Sequence, residues 1–383
     1  MYIGFLTNEY PPYSGGIGTS IRNLAKGLVS RGHQVTVLIL GQGEDRVDER
    51  VRIVHIRPTS IPKLGWLLNR LAIKREINRL VEEEGLDIVE APDWCGLSAG
   101  IKAKCPIVIR CNGSATYFGN LAGEPVSWSV RLAEAIALKG AAAIASVSKF
   151  TADETTHLFN LKEKIEIIPN CVPVSDSGEH QSTPSEENRV LYFGTIVRKK
   201  GVLDLPEIIR IVCEKNQFAR FLLMGRDAAD SMTGAVSTFS LFQNALNEQA
   251  LARAAYLGGK STDEVRDEIA KASICIFPSY AEALPLAWLE AMSMGKPVVT
   301  YNIGWASEVI ESGVSGFLVR KSDKQAFAEA IQRLLFDPEL RQKIGDQARL
   351  RVLENFSYEI VAERNIDWYQ SVIDEFKSER KSR

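Results

Sequence analysis

The chain has 383 residues, 45% of them hydrophobic and 25% charged, with a net charge of −2 at pH 7. That length suits roughly two or three domains, and the composition is that of a soluble globular protein, not a disordered one. A near-neutral charge offers no bulk electrostatic case for nucleic acid.

The six cysteines show no C-x-x-C pairing and sit in or beside apolar runs. They read as reduced core thiols of a cytoplasmic protein, not as a disulfide framework. The four histidines are dispersed and give no metal-ligand spacing. No apolar run reaches the ~20 residues of a membrane span. The first residues already read as a strand, so no signal peptide is expected.

Residues 2–7 read as a buried first strand. Asn8 to Gly18 is a loop of turn residues, N-E-Y-P-P-Y-S-G-G-I-G. Residues 19–30 place Ile21, Leu24, Ala25 and Leu28 on one helical face, and 35–40 is a second strand. This is a βαβ unit with a glycine-rich first turn. The turn departs from G-x-G-x-x-G, and no acidic residue closes the second strand at the ribose position, which argues against NAD. Residues 51–56 form a third strand. The stretch 58–85 carries Leu64, Leu67, Leu68, Leu71 and Ile77 as an apolar stripe, with Lys63, Arg70, Lys74, Arg75 and Arg79 around it. Two readings stand for this helix: a solvated basic face, or a surface for anionic lipid head groups. Strands at 87–90 and 107–110 lead into A-P-D-W-C-G (91–96) and C-N-G-S (111–114). A helix at 126–139 and a small-residue strand at 141–147 follow, and 165–170 closes the first domain. Residues 175–188, S-D-S-G-E-H-Q-S-T-P-S-E-E-N, are almost without apolar side chains and read as an exposed linker.

The βα alternation then restarts with a strand at 190–194 and a basic loop, T-I-V-R-K-K-G (195–201). A basic loop after a strand is well placed to meet a diphosphate leaving group. A strand at 219–225, a polar insertion at 227–240, a helix at 241–254, a strand at 255–259 and a helix at 262–272 come next. The segment from Phe277 to Val299, F-P-S-Y-A-E-A-L-P-L-A-W-L-E-A-M-S-M-G-K-P-V-V, follows a short apolar strand at 274–277. Pro285 suits the first position of a helix. Glu282 therefore lies in the loop and Glu290 inside the helix. Eight helical positions rise about 12 Å and turn roughly 80° beyond two turns, which does not suit a glycosidase carboxylate pair about 5–10 Å apart. A helix start favours anions such as phosphate, so the amides of Ala283, Leu284 and Leu286 are placed to meet one. Glu290, two turns further in, can accept bonds from a polyhydroxy group. A strand at 298–300, a helix from 303, the turn and strand S-G-V-S-G-F-L-V (312–319) and a helix at 326–335 follow. Residues 358–376 form a late amphipathic helix, and 377–383 read as a frayed end.

The Glu282–Glu290 pair, G-K-P-V-V at 295–299 and S-G-V-S-G-F-L-V together resemble the signature of retaining glycosyltransferases of family four (glycosyltransferase group 1), which have the GT-B fold. The resemblance covers nearly the whole chain and is strongest in its second half. It implies an α/β protein of two Rossmann-like domains facing across a cleft. These would be an N-terminal acceptor domain at 1–174, a linker at 175–188 and a nucleotide-sugar donor domain at 189–356. A C-terminal helix at 357–383 would cross back to the first domain. It implies transfer of a sugar, with retention, from a UDP- or GDP-sugar to a carbohydrate or lipid-linked acceptor in cell-surface polysaccharide or glycoconjugate synthesis. Glu282 would contact the transferred sugar and Glu290 the ribose. Lys200 and Arg198 would meet the departing diphosphate, helped by the helix start at Ala283, Leu284 and Leu286. Gly15 and Gly16, with Gly18 beside them, would lie against the donor phosphates and the acceptor. Asn112 stands where many relatives carry a His beside the reacting sugar, and Thr195 where they carry an Arg. No D-x-D occurs, so no metal and no cofactor beyond the nucleotide-sugar is expected. Two alternatives carry distinct expectations: a sugar-nucleotide epimerase of the same fold would consume no acceptor, and a non-catalytic nucleotide-sugar binding protein would bind donor without turnover.

Overall fold

The computed structural model describes residues 1–12, 15–61, 64–174 and 185–382. The chain divides into two compact units, Met1–Val172 with Phe356–Arg383, and Pro173–Asn355.

The first unit is built from β1 (Tyr2–Thr7), α1 (Gly16–Ser30), β2 (Gln34–Leu40), β3 (Arg46–Asp48), β4 (Val51–Ile56), α2 (Gly65–Glu84), β5 (Ile88–Pro92), β6 (Ile107–Cys111), α3 (Ala115–Ala122), α4 (Trp128–Lys139), β7 (Ile144–Ser146), α5 (Lys149–Phe159) and β8 (Ile165–Ile167). Its sheet runs β3-β4-β2-β1-β5-β6-β7-β8. All pairs are parallel except β3–β4. The second unit contains β9 (Arg189–Phe193), α6 (Leu205–Lys215), β10 (Arg220–Met224), α7 (Thr238–Asn244), α8 (Glu248–Leu251), β11 (Ala254–Tyr256), α9 (Thr262–Lys271), β12 (Ile274–Phe277), α10 (Leu286–Ser293), β13 (Val298–Asn302), α11 (Ala306–Val309), β14 (Phe317–Arg320), α12 (Lys324–Phe336) and α13 (Pro338–Asn355). Its parallel sheet runs β11-β10-β9-β12-β13-β14, the strand order of a doubly wound Rossmann fold. Strands such as β1 and β12 are buried along their whole length, as a parallel sheet covered on both faces requires.

The last helix, α14 (Tyr358–Ser382), returns to the first unit. It lies against α1 so closely that a Cβ on Gly27 would sit 2.9 Å from the Tyr358 carbonyl oxygen. Val361, Ala362, Tyr369, Val372 and Ile373 complete the core around β1 and β2. A buried polar network fixes the helix. Arg110 pairs with both oxygens of Glu90 at 2.7 and 2.8 Å and donates to Asn365, and Tyr369 donates to Glu90 at 2.7 Å. A buried ion pair is tolerated when its remaining valences are met in this way.

Several elements differ from the sequence reading. Helix α1 begins at Gly16, not at 19, because a carboxylate from the preceding loop satisfies its first amides. Helix α2 begins at Gly65, not at 58. The helix expected at 241–254 is two short ones, interrupted where the Asn247 side chain accepts from the Ala250 amide at 2.8 Å and starts α8. Pro285 is the N-cap of α10, with extended backbone, one position before the expected first turn. The end expected to fray is helical to Ser382, and Arg380 donates to the Lys104 carbonyl at 2.9 Å. Most of the expected linker, 175–184, lies outside the described residues. Its final part is docked on the second unit, where the Glu186 amide donates to the Lys271 carbonyl at 2.8 Å.

Candidate active site

In a doubly wound sheet, ligands bind beyond the strand ends at the point where the strand order reverses. In the second unit that point lies between β9 and β12. The loops leaving these two strands carry Lys200 and Glu282. The first loop is shaped by glycines. Gly194 has φ 137°, and a Cβ on Gly225 would lie 1.9 Å from the Gly194 carbonyl oxygen. Gly201 has φ 70°, and a Cβ there would lie 1.6 Å from the Pro278 carbonyl oxygen. Gly201 therefore locks the basic loop onto the loop after β12. The Tyr280 amide adds a bond to the Lys199 carbonyl at 2.9 Å.

This close approach brings the Lys200 ammonium 2.7 Å from Glu282 Oε1. Glu282 is 9% exposed. Its carboxylate accepts from Ser279 at 3.3 Å, and its carbonyl accepts from the indole of Trp305 at 2.8 Å. Trp305 is itself buried against Trp288, with ring centroids 4.5 Å apart. Helix α10 starts just beyond, with no side-chain cap at Pro285. Glu290 lies one turn into that helix, and burial pushes its carboxyl upward, partly offset by the charges of Arg266 and Lys200.

Arg198 has a different first commitment. Its Nε and Nη2 are held by Asp230 at 2.7 and 2.8 Å, and this arginine holds the Asp230 carboxyl far below the usual carboxylate range. Asp230 is 1% exposed and also accepts from the Thr233 amide and hydroxyl. The sequence reading missed it, because it lies in a polar insertion without periodicity. Thr195, at the position read as a missing Arg, takes the Tyr192 hydroxyl on its carbonyl at 2.9 Å.

In the first unit the sheet order reverses between β1 and β5. The loop after β1 holds Gly15 and Gly16. Glu9 occupies this helix start, accepting from the Gly15 amide at 3.0 Å and the Gly18 amide at 2.9 Å. A cap of this kind also neutralises the positive end of the helix. A Cβ on Gly15 would meet the Glu9 carboxylate at 3.1 Å, whereas Gly16 faces open space. Asn112 is partly exposed at the end of β6. Its amide donates to Asp93 at 3.0 Å and its side chain to the Arg110 carbonyl at 3.3 Å. Asp93 is fully buried, and among the described residues its Oδ2 has no hydrogen-bond partner. Burial, with the Glu134 charge adding to it, raises its carboxyl to about 7. Glu134 is also buried, and accepts from the amides of Cys95, Ala115 and Thr116. It thus ties the loop after β5 to the start of α3. The structure therefore brings Lys200, Glu282 and the start of α10 together in the second unit, and places Gly15, Gly16 and Asn112 in the first.

All six cysteines are free, five buried and Cys95 exposed. Among the described residues, no helix is long and apolar enough to cross a membrane.

Comparison with known proteins agrees with this arrangement. The family model described as "Glycosyl transferases group 1" matches residues 176–351, and "Glycosyltransferase Family 4" matches residues 14–176. An uncharacterized glycosyltransferase of Methanocaldococcus jannaschii is 23% identical over 395 residues, covering 98% of this chain and 99% of that protein. The capsular polysaccharide biosynthesis glycosyltransferase CapM of Staphylococcus aureus is 28% identical over 187 residues, 48% of this chain and 46% of CapM. Among solved structures, Anabaena HepE in complex with UDP-glucose superposes with a TM-score of 0.72 at 19% identity, covering 97% of this chain and 100% of HepE. The two family models share the chain almost end to end and meet at the boundary between its two Rossmann-like units. The chain belongs to the group 1 glycosyltransferases of family four, enzymes of the hexosyltransferase type with the GT-B fold.

Proposed function

We propose that the chain transfers a sugar from a nucleotide-sugar, with retention at the anomeric carbon, to a carbohydrate or lipid-linked acceptor in polysaccharide or glycoconjugate synthesis. The observation that carries this reading is the Lys200–Glu282 pair at the switch point of the second sheet, 2.7 Å apart and beside the start of α10. A diphosphate arriving there competes for the Lys200 ammonium and frees the Glu282 carboxylate to accept sugar hydroxyls. Arg198, aimed by Asp230, adds a second positive charge on the same loop. The amides of Ala283, Leu284 and Leu286 add the dipole of a helix start. Glu290 accepts from the ribose.

In the reaction, the bond from the anomeric carbon to the diphosphate oxygen breaks and its electron pair goes to that oxygen. An acceptor hydroxyl forms the new bond on the same face and gives its proton to the departing diphosphate. Lys200 and Arg198 stabilise the charge that develops on the leaving group. Side chains and a helix dipole then suffice without a metal, and turnover is expected to survive a chelator. The complex of HepE with UDP-glucose supports a nucleotide-sugar as the donor class, and CapM supports a polysaccharide role.

On the acceptor side we place Gly15, Gly16 and Asn112. The Glu9 carboxylate at that glycine loop favours a neutral hydroxyl over a phosphate, since a phosphate would meet like charge. Asn112 can hold a hydroxyl but cannot titrate near neutral pH.

The test is thermal melting against UDP-, GDP- and ADP-sugars. A ligand at a hundred times its dissociation constant contributes about 2.7 kcal/mol, enough for a shift of several degrees. A shift with one donor, reduced in Glu290→Ala, is the expected result. No shift with any of these sugars or with the free nucleoside diphosphates would overturn the donor site.

A further inference from the structure

Asp204 ends the loop that leaves β9, four positions after Lys200, and stands at the N-cap of α6. An aspartate in that place ordinarily caps its own helix by accepting a backbone amide. Asp204 makes no such bond. The residue is buried, and its carboxylate is given to two tyrosines instead. Tyr301 of β13 donates to Oδ2 at 2.7 Å, and Tyr280 donates to the same oxygen. Lys324, at the start of α12, stands 3.8 Å from Oδ1 and is itself held 2.6 Å from Glu207.

Tyr280 lies in the loop after β12, two positions before Glu282. Its amide donates to the Lys199 carbonyl at 2.9 Å and its hydroxyl to Asp204. It therefore grips the β9 loop on both sides of Lys200. Its neighbour Ser279 donates to the Glu282 carboxylate at 3.3 Å. The Asp204–Tyr280 bond thus joins the two loops that carry the Lys200–Glu282 pair, close to that pair but outside it.

Packing alone does not ask for these hydroxyls. The rings of Tyr280 and Tyr301 stack with centroids 5.8 Å apart, and Tyr301 meets Phe327 edge-on at 5.1 Å. Phenylalanine would fill the same space; a buried hydroxyl needs a partner. Burial, with Asp204 adding to it, pushes the Tyr280 hydroxyl up to about 12 and raises that of Tyr301 as well. Both keep their protons and donate. Hydrogen bonds to a carboxylate are roughly twice as strong as neutral ones, so the joint is stiff, and a displacement of about 1 Å at a catalytic group can cost about 100-fold in rate.

We propose that Asp204 is a positioning residue for the Lys200–Glu282 pair, holding the two loops in register through the Tyr280 hydroxyl. This rests on the donor-site reading above. The experiment measures nucleoside diphosphate release by the full chain from UDP-glucose, GDP-mannose or ADP-glucose, whichever raises its melting temperature most. Calorimetric titration of the matching nucleoside diphosphate accompanies it. The variants are Tyr280→Phe, Asp204→Ala, Glu282→Ala and the Tyr280→Phe/Glu282→Ala double, each assayed well below its own melting temperature. Tyr280→Phe keeps the ring and carries the test should Asp204→Ala not fold. The expected result for Tyr280→Phe is kcat lowered about tenfold or more, with KM within about threefold of the parent. The nucleoside diphosphate should still bind in full stoichiometry. In the Glu282→Ala background the same change should lower kcat by less than about twofold, because the two residues act through one geometry. A merely structural role would instead lower the bound fraction and add its whole effect in both backgrounds. That pattern, or a parent-like kcat in Tyr280→Phe while Glu282→Ala is slow, would overturn the inference alone. A Glu282→Ala protein as fast as the parent would strike the donor-site reading and this inference with it.

Discussion

Lys200 and Glu282 come from different loops and meet as an ion pair that leaves Glu282 almost wholly buried. Removing either partner breaks this ion pair, so both substitutions are expected to act on turnover. For Glu282→Ala, kcat should fall much further than KM rises if the carboxylate serves the reacting sugar as proposed; a change in KM alone would remove that role. Lys200→Ala should cost ~100-fold or more in kcat, the scale of losing one preorganised charge stabiliser. Asp93 gives a prediction in pH. Its carboxyl is raised from 3.8 to about 7 in the fold, so between those values the folded state binds more protons than the unfolded one. Stability then falls as pH rises through that window. Asp93→Asn abolishes the slope, and its stability relative to the parent should rise by roughly 1–3 kcal/mol between pH 5 and pH 8. Parallel stability curves for the two proteins would mean that Asp93 is ionised in the fold. Glu282 and Lys200 were legible in the sequence because each sits in a motif. Glu9, Asp93 and Asp230 were not, because what makes them matter is a partner brought near by folding.

The decisive element is the turn that ends in Gly201. Its left-handed φ and its contact with the Pro278 carbonyl exclude a side chain. Gly201→Ala should destabilise the second unit by at least about 2 kcal/mol and should also lower turnover, because the same contact places Lys200 on Glu282. A normal melting temperature with normal activity would show that the loop rearranges at no cost. Most strands were readable from short β-branched runs, and α9 starts at Thr262 as read, where Ser261 and Glu264 form a capping box. Element ends were less readable. Helix α1 gained its first turn from Glu9, the segment at 241–254 broke at an asparagine cap, and the edge strand β3 has no apolar run of its own. In each case a side-chain bond or a sheet edge outweighed periodicity.

At the scale of the molecule, α14 leaves the second unit and closes the core of the first, where Glu90, Arg110, Asn365 and Tyr369 hold it. The amphipathic pattern of that helix was legible, and its return was implied by the family resemblance. The buried charges that fasten it, Glu90 and Arg110, were hidden in two strands that read as apolar. In the proposed reaction, donor chemistry gathers at one switch point, between β9 and β12. This placement is tested most directly by calorimetric titration of the nucleoside diphosphate of the preferred donor into the parent and into Lys200→Ala. The account predicts binding to the parent and affinity weakened by about tenfold or more in the variant, as loss of one cation–phosphate contact implies. Equal affinity for the two proteins would contradict it and move the diphosphate away from this loop.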